Sequence, residues 1–154
     1  MHAAVTASPA PAKFHKAYAV IAALAAAGVA VSSFSLYHHF SKSKTSFCDL
    51  GQTFNCDLVN RSSYSTVFGV PVALIGIIGY LVILAFATVY REKAETPFLL
   101  AAAALAGLAF ALRLAYVEAF VLNAWCLLCL SSLAVIVAIA VTAAINAASS
   151  LRRT

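Results

Sequence analysis

The stretch 125–148, WCLLCLSSLAVIVAIAVTAAINAA, opens with a Cys-x-x-Cys and continues without a single charged residue. At about 1.5 Å rise per residue its 24 residues reach about 36 Å as a helix, more than the roughly 30 Å hydrocarbon core of a bilayer. Backbone in lipid must satisfy its own hydrogen bonds, so such a stretch is helical. The sequence therefore places two thiols, Cys126 and Cys129, at the mouth of a membrane span.

Three further apolar stretches, 17–36, 71–90 and 98–121, are long enough to do the same. The composition agrees: 64% of residues are hydrophobic and 10% charged, whereas a soluble domain carries about 25% charged residues. One polytopic, all-α membrane protein is predicted, with a four-helix domain at 17–148, a disordered, proline-containing N-terminus at 1–16 and a tail at 149–154. Lys13, Lys16, Arg91, Lys93, Arg152 and Arg153 fall on one side of four spans, and Lys42, Lys44 and Arg61 on the other. The positive-inside bias puts both termini in the cytoplasm and residues 37–69 outside. The basic residues sit at span ends rather than in a stripe, so nucleic-acid binding is not expected and contact with membrane lipid is. The first span also has the basic flank of a secretory signal. Its 20 apolar residues exceed the ~7–15 of a signal core, so an uncleaved anchor is expected.

The outer segment is the main polar region, rich in Ser, Thr, Asn and Asp. Residues 62–68 suit one or two helical turns, Gly69 a left-handed turn, and Pro71 the first position of the next helix. Gly76 and Gly79 permit close packing of the second span. Thr96 with Pro97 reads as a helix start, and Asn123 as the cap that puts Cys126 in the first turn of the last span.

Cys126 and Cys129, i and i+3 on a helix, share one face, where the unpaired amides of the first turn favour a thiolate. Packing as small hydrophobes is the plainer role for such a pair. Cys48 and Cys56 lie on the polar loop with seven residues between them, where a structural staple is equally reasonable. Together the two pairs form a possible relay from water to the edge of lipid. Of the three pairings open to four cysteines, Cys48–Cys56 with Cys126–Cys129 is the resting arrangement. Cys56–Cys126 is the mixed disulfide through which exchange would pass. Zinc is poorly matched, because the seven-residue gap exceeds the usual ~2–4, and no metal is expected.

Arg113 lies within the third span and is expected to face the bundle interior, where it can polarise a ligand carbonyl or bond a neighbouring helix. Glu118 reads as an outer-interface residue. Asp49 and Asp57 follow the loop cysteines as solvated acids, His15, His38 and His39 as interfacial or loop residues, and Trp125 as an interface anchor.

With these residues in place, the chain resembles the bacterial branch of the vitamin K epoxide reductase family. The resemblance rests on Phe47-Cys48, Asn55-Cys56-Asp57, Ser62-Ser63-Tyr64, Phe68-Gly69-Val70-Pro71, Gly76 to Tyr80 and Ala124-Trp125-Cys126-x2-Cys129. It implies a four-transmembrane-helix bundle around a quinone (ubiquinone, menaquinone or phylloquinone), with an extracytoplasmic loop and a short half-helix capping it. By position, Cys129 would face the quinone, with Arg113 a further candidate contact. Cys126 would exchange with Cys56, Cys48 would meet an external protein, and Ser62 would belong to the cap. Many bacterial members carry a fused thioredoxin-like domain. This chain stops at Thr154, so a separate thioredoxin-like partner is expected, in a bacterial inner membrane. The function implied is a protein-dithiol:quinone oxidoreductase making disulfides for secreted proteins. The rivals are reduction of vitamin K epoxide by the same cysteines and a non-enzymatic scaffold stapled by disulfides.

Overall fold

The computed structural model describes residues 12–41 and 48–153. The expected disorder of residues 1–11, and Lys42, Lys44 and Phe47, lie outside the described residues.

Long runs rich in Ala, Leu, Val and Ile, free of internal proline, form four main helices: α1 (Ala12–Phe40), α3 (Val72–Thr88), α4 (Thr96–Val117) and α5 (Leu127–Leu151). The short α2 (Cys56–Arg61), a 3₁₀ turn (Ser63–Ser65) and two strands, β1 (Thr66–Val67) and β2 (Val70–Pro71), lie between α1 and α3. Among the described residues, three helices are long and apolar enough to cross a membrane: His15–Phe40, Thr96–Leu122 and Leu127–Leu151. The second expected span is shorter than read. Pro71 is drawn into the β1–β2 hairpin, so α3 begins at Val72, and its 17 residues reach about 25 Å.

The main helices close a ring in which α1 packs on α3 and α5, and α4 on α3 and α5. Close approach is built into the α1–α3 contact: a side chain at Gly28 would collide with the ring of Tyr80, and a Cβ at Gly76 would lie 2.9 Å from Ser32 Oγ. Gly79, expected to act like Gly76, instead borders open space. The apolar core fills the half of the bundle remote from the cysteines, where Ile21, Leu100 and Ile139 are completely buried. Tyr80 marks its upper edge, and its hydroxyl meets the Ser132 carbonyl and Oγ at 2.9 Å each.

Two caps differ from expectation. Thr96 is already helical, with Glu95 as the cap, and its hydroxyl donates to the Tyr90 carbonyl. Asn123 does not cap α5. It adopts φ 51°, ψ 32° and ends a π-helical turn, Glu118–Leu122, that extends α4. Asn tolerates this left-handed conformation better than most residues. The two-residue hairpin tip, Phe68 (φ 51°) and Gly69 (φ 79°), is also left-handed, the conformation that lets strands reverse in two residues. It adds a small antiparallel ribbon to an otherwise helical chain.

Candidate redox site

All four cysteines meet at the end of the bundle where α1 finishes and α5 starts. Cys48, Cys56 and Cys126 are each at most 1% exposed and pack in one cluster with Val59 and Ala124, with Cys129 against its edge. Main-chain atoms bring the two halves together. Asn55 N donates to the Trp125 carbonyl (3.1 Å) and Trp125 N donates to the Thr53 carbonyl (2.9 Å), a parallel bridge between Phe54 and Trp125. Trp125, expected as an interface anchor, thus joins the loop to the start of α5.

Cys56 opens α2, which is anchored at both ends. Asn55 Oδ1 accepts from Leu58 N at 2.8 Å as the N-cap. Ser35 Oγ of α1 donates to Asn60 Oδ1 (3.1 Å), and Arg61 Nη2 donates to the Ser41 carbonyl (2.7 Å). His39 Nδ1 lies 2.6 Å from the Asn60 carbonyl. A carbonyl only accepts, so the proton sits on Nδ1. His39 is therefore part of the anchor rather than a loose loop residue, and His38 is buried beside the Phe34 ring. Ser62 ends α2, where its hydroxyl donates to the Val59 carbonyl at 2.8 Å.

The structure bridges Cys48 to Cys56 and leaves Cys126 and Cys129 as thiols. Cys126 Sγ lies 3.5 Å from Cys56 Sγ, the one cross-pair contact that exchange through a mixed disulfide requires. Cys48 is covered, although an external partner was expected to meet it there. Cys126 is not in the first turn of α5 as read from the sequence. Its backbone is extended, drawn out by the bridge to residues 53–55, and its sulfur is the N-cap, accepting from Cys129 N at 3.4 Å. Lying ahead of the apolar span, the Cys126 thiol is held below the ordinary cysteine range. The hydrogen bond from the Cys129 side chain contributes most; with the Cys129 and Leu128 amides it outweighs burial and the Glu118 charge.

Glu118 is the residue the sequence reading undervalued. It is 2% exposed. Its backbone carbonyl accepts from Asn123 N and Ala124 N, while its Oε2 accepts from Cys126 N at 3.0 Å. One residue thus shapes the whole turn that delivers Cys126. The signal available was its position eight residues before Cys126; the π-helical turn that swings it inward leaves no mark in hydrophobic periodicity.

Below the cysteines lies a cavity of about 410 Å³, within the range of small-molecule sites. Its wall is mostly apolar, and the polar residues in it include Cys129, Glu118, Tyr80, Ser132, Asn60 and His39. Arg113 does not contribute: its side chain is exposed and outside the lining. On α4 the lining takes in Phe110, Ala111, Leu114, Ala115 and Val117, and Arg113 lies on the other side of Leu114 from Ala115, about 100° around the helix. The ligand role expected for Arg113 is corrected accordingly.

No curated protein matches the chain. A family model described as the vitamin K epoxide reductase family matches residues 19–144, a region that includes all four cysteines, the cavity and the anchored loop. The chain belongs to the vitamin K epoxide reductase family.

Proposed function

We propose that the protein is a membrane protein-dithiol:quinone oxidoreductase that forms disulfides for secreted proteins. The observation that carries this reading is the 3.5 Å approach of Cys126 Sγ to Cys56 Sγ, with Cys129 in the wall of the cavity immediately below. In this reading α3 also crosses the bilayer, giving four spans, with residues 37–69 extracytoplasmic and both termini cytoplasmic in a bacterial inner membrane.

A quinone fits the donor set. The cavity is lined chiefly by apolar side chains, with Cys129 and Glu118 among its polar residues. Gly79, exposed and lining it, leaves a gap in the wall toward lipid, which suits an isoprenoid tail. Ubiquinone, menaquinone and phylloquinone share this chemistry. Bound there, a quinone supplies an acceptor for two electrons and two protons.

The chain's own steps balance as thiol–disulfide exchange. A separate thioredoxin-like dithiol reduces Cys48–Cys56 and leaves as a disulfide. The Cys56 thiolate attacks Cys126 of the Cys126–Cys129 disulfide, forming Cys56–Cys126 and releasing Cys129 as thiolate. Cys48 then attacks Cys56, restoring Cys48–Cys56 and freeing Cys126. The electron pair now resides on Cys126 and Cys129, the arrangement present in the structure. Ser62 holds the end of α2, so Cys56 returns to the same place in each cycle.

The test is turnover of purified protein with a reduced thioredoxin-like donor and a soluble quinone, together with trapping. Cys129→Ala should abolish quinone reduction and accumulate Cys56–Cys126, identified by peptide mass spectrometry. Wild-type rates in Cys129→Ala would refute the route.

A further inference from the structure

Reducing a quinone moves protons as well as electrons; of the titratable groups in the cavity wall, His39 is tied to the Asn60 carbonyl and Tyr80 to Ser132. Glu118 is the one carboxylate among the described residues that lines the cavity. Its two oxygens have different surroundings. Oε2 is committed to Cys126 N (3.0 Å), while Oε1 is buried and makes no hydrogen bond of ordinary geometry. Holding the turn does not require this arrangement, because a neutral amide accepts a backbone N–H equally well. A buried carboxyl oxygen left without a hydrogen bond is costly, and an amide would hold the turn without placing an ionisable group at the cavity. Cys129 lines the same cavity, and both residues are tied to Cys126: Glu118 Oε2 accepts from its amide and Cys129 N donates to its sulfur at 3.4 Å. The π-helical turn Glu118–Leu122 sets Glu118 at this point, and such turns recur at functional sites.

We propose that Glu118 is the proton carrier of the site: it takes the Cys129 thiol proton as the Cys126–Cys129 disulfide forms and passes it to the quinone oxygen. The inference rests on the quinone-reductase reading above. Oxidation of the dithiol releases two electrons and two protons. The electrons go to the quinone and one proton reaches it by way of Glu118; the Cys126 proton passes to solvent, from which the quinone takes its second proton. When the disulfide has formed, Cys129 no longer offers a donor, and uptake of the proton removes the charge from a buried site. Glu118 is then a carboxylate beside the dithiol and a carboxylic acid beside the disulfide until it hands the proton on.

Two measurements test this. The first needs no quinone: infrared difference spectra of purified protein, dithiol minus disulfide, with diamide as oxidant. The C=O band of a protonated carboxyl should appear on oxidation in the wild type and be absent in Glu118→Gln. The second separates the half-reactions. Glu118→Gln keeps an acceptor for Cys126 N, so Cys56–Cys126 exchange should stay within about 3-fold of wild type. Quinone reduction by pre-reduced protein should fall about 10²-fold or more, the usual share of general acid–base catalysis, and Glu118→Asp should recover part of it. The proposal is overturned if no carboxyl band responds to oxidation, or if Glu118→Gln leaves quinone reduction intact. Equal slowing of both half-reactions also overturns it, because that is the mark of a residue that only shapes the turn. Wild-type protein that reduces no quinone would instead overturn the functional reading, and the infrared result would still decide the role of Glu118.

Discussion

Gly28→Ala tests how the cavity floor is built. The new Cβ would fall within contact of three Tyr80 ring carbons, the farthest 2.6 Å away, against an ordinary carbon–carbon separation of about 3.5–4.0 Å. The ring must therefore retreat by about 1 Å. It is 5% exposed and tied through its hydroxyl to Ser132 at 2.9 Å, so retreat strains the core or breaks that bond. Overpacking costs about 1–3 kcal/mol and the hydrogen bond about 0.5–1.5 kcal/mol. Their sum, about 1.5–4.5 kcal/mol, corresponds to a fall in melting temperature of about 3–18 °C for a chain of this size. Thermal unfolding in detergent measures it, and Tyr80→Leu in the same background should recover much of the loss. A shift below about 2 °C would refute the packing account. Because Tyr80 also lines the cavity, Gly28→Ala should weaken quinone binding as well.

Three further outcomes are expected. Asn55→Ala removes the cap of α2 and should destabilise the loop by about 1 kcal/mol; with Cys129→Ala it should slow accumulation of the Cys56–Cys126 bridge, while Asn55→Asp should not. Arg113→Ala should leave quinone KM within about 2-fold, since the side chain lies outside the cavity; a loss of about 10-fold, worth about 1.4 kcal/mol, would return Arg113 to the site. The lowered Cys126 pKa means that its thiolate persists to lower pH than that of an ordinary cysteine. Ultraviolet thiolate absorbance of the reduced protein should show this, and Cys129→Ala, which removes the leading cause, should move the titration upward.

The membrane character and the meeting of the cysteine pairs were legible because they rest on strong signals: long uncharged runs, and two thiol pairs predicted on one side. Features set by a few backbone angles were not. Cys126 was read as a first-turn residue, but pairing with residues 53–55 stretches it out of the helix. Arg113 and Glu118 were effectively exchanged. A charge deep in a span reads as inward-facing, yet the helical phase of α4 turns Arg113 out. A charge near a span end reads as interfacial, yet the π-helical turn carries Glu118 in. The hairpin at 66–71 was half-legible, with Gly69 left-handed as expected but Pro71 taken by a strand, which shortened α3.

The bridge joining Phe54 to Trp125 uses amides and carbonyls alone. Side chains at 53, 54 and 125 are consequently free to diverge among descendants of this sequence without misaligning the sulfurs. Proline is the exception: at 55 or 125 it would delete a donor and let the two cysteine-bearing segments slide apart.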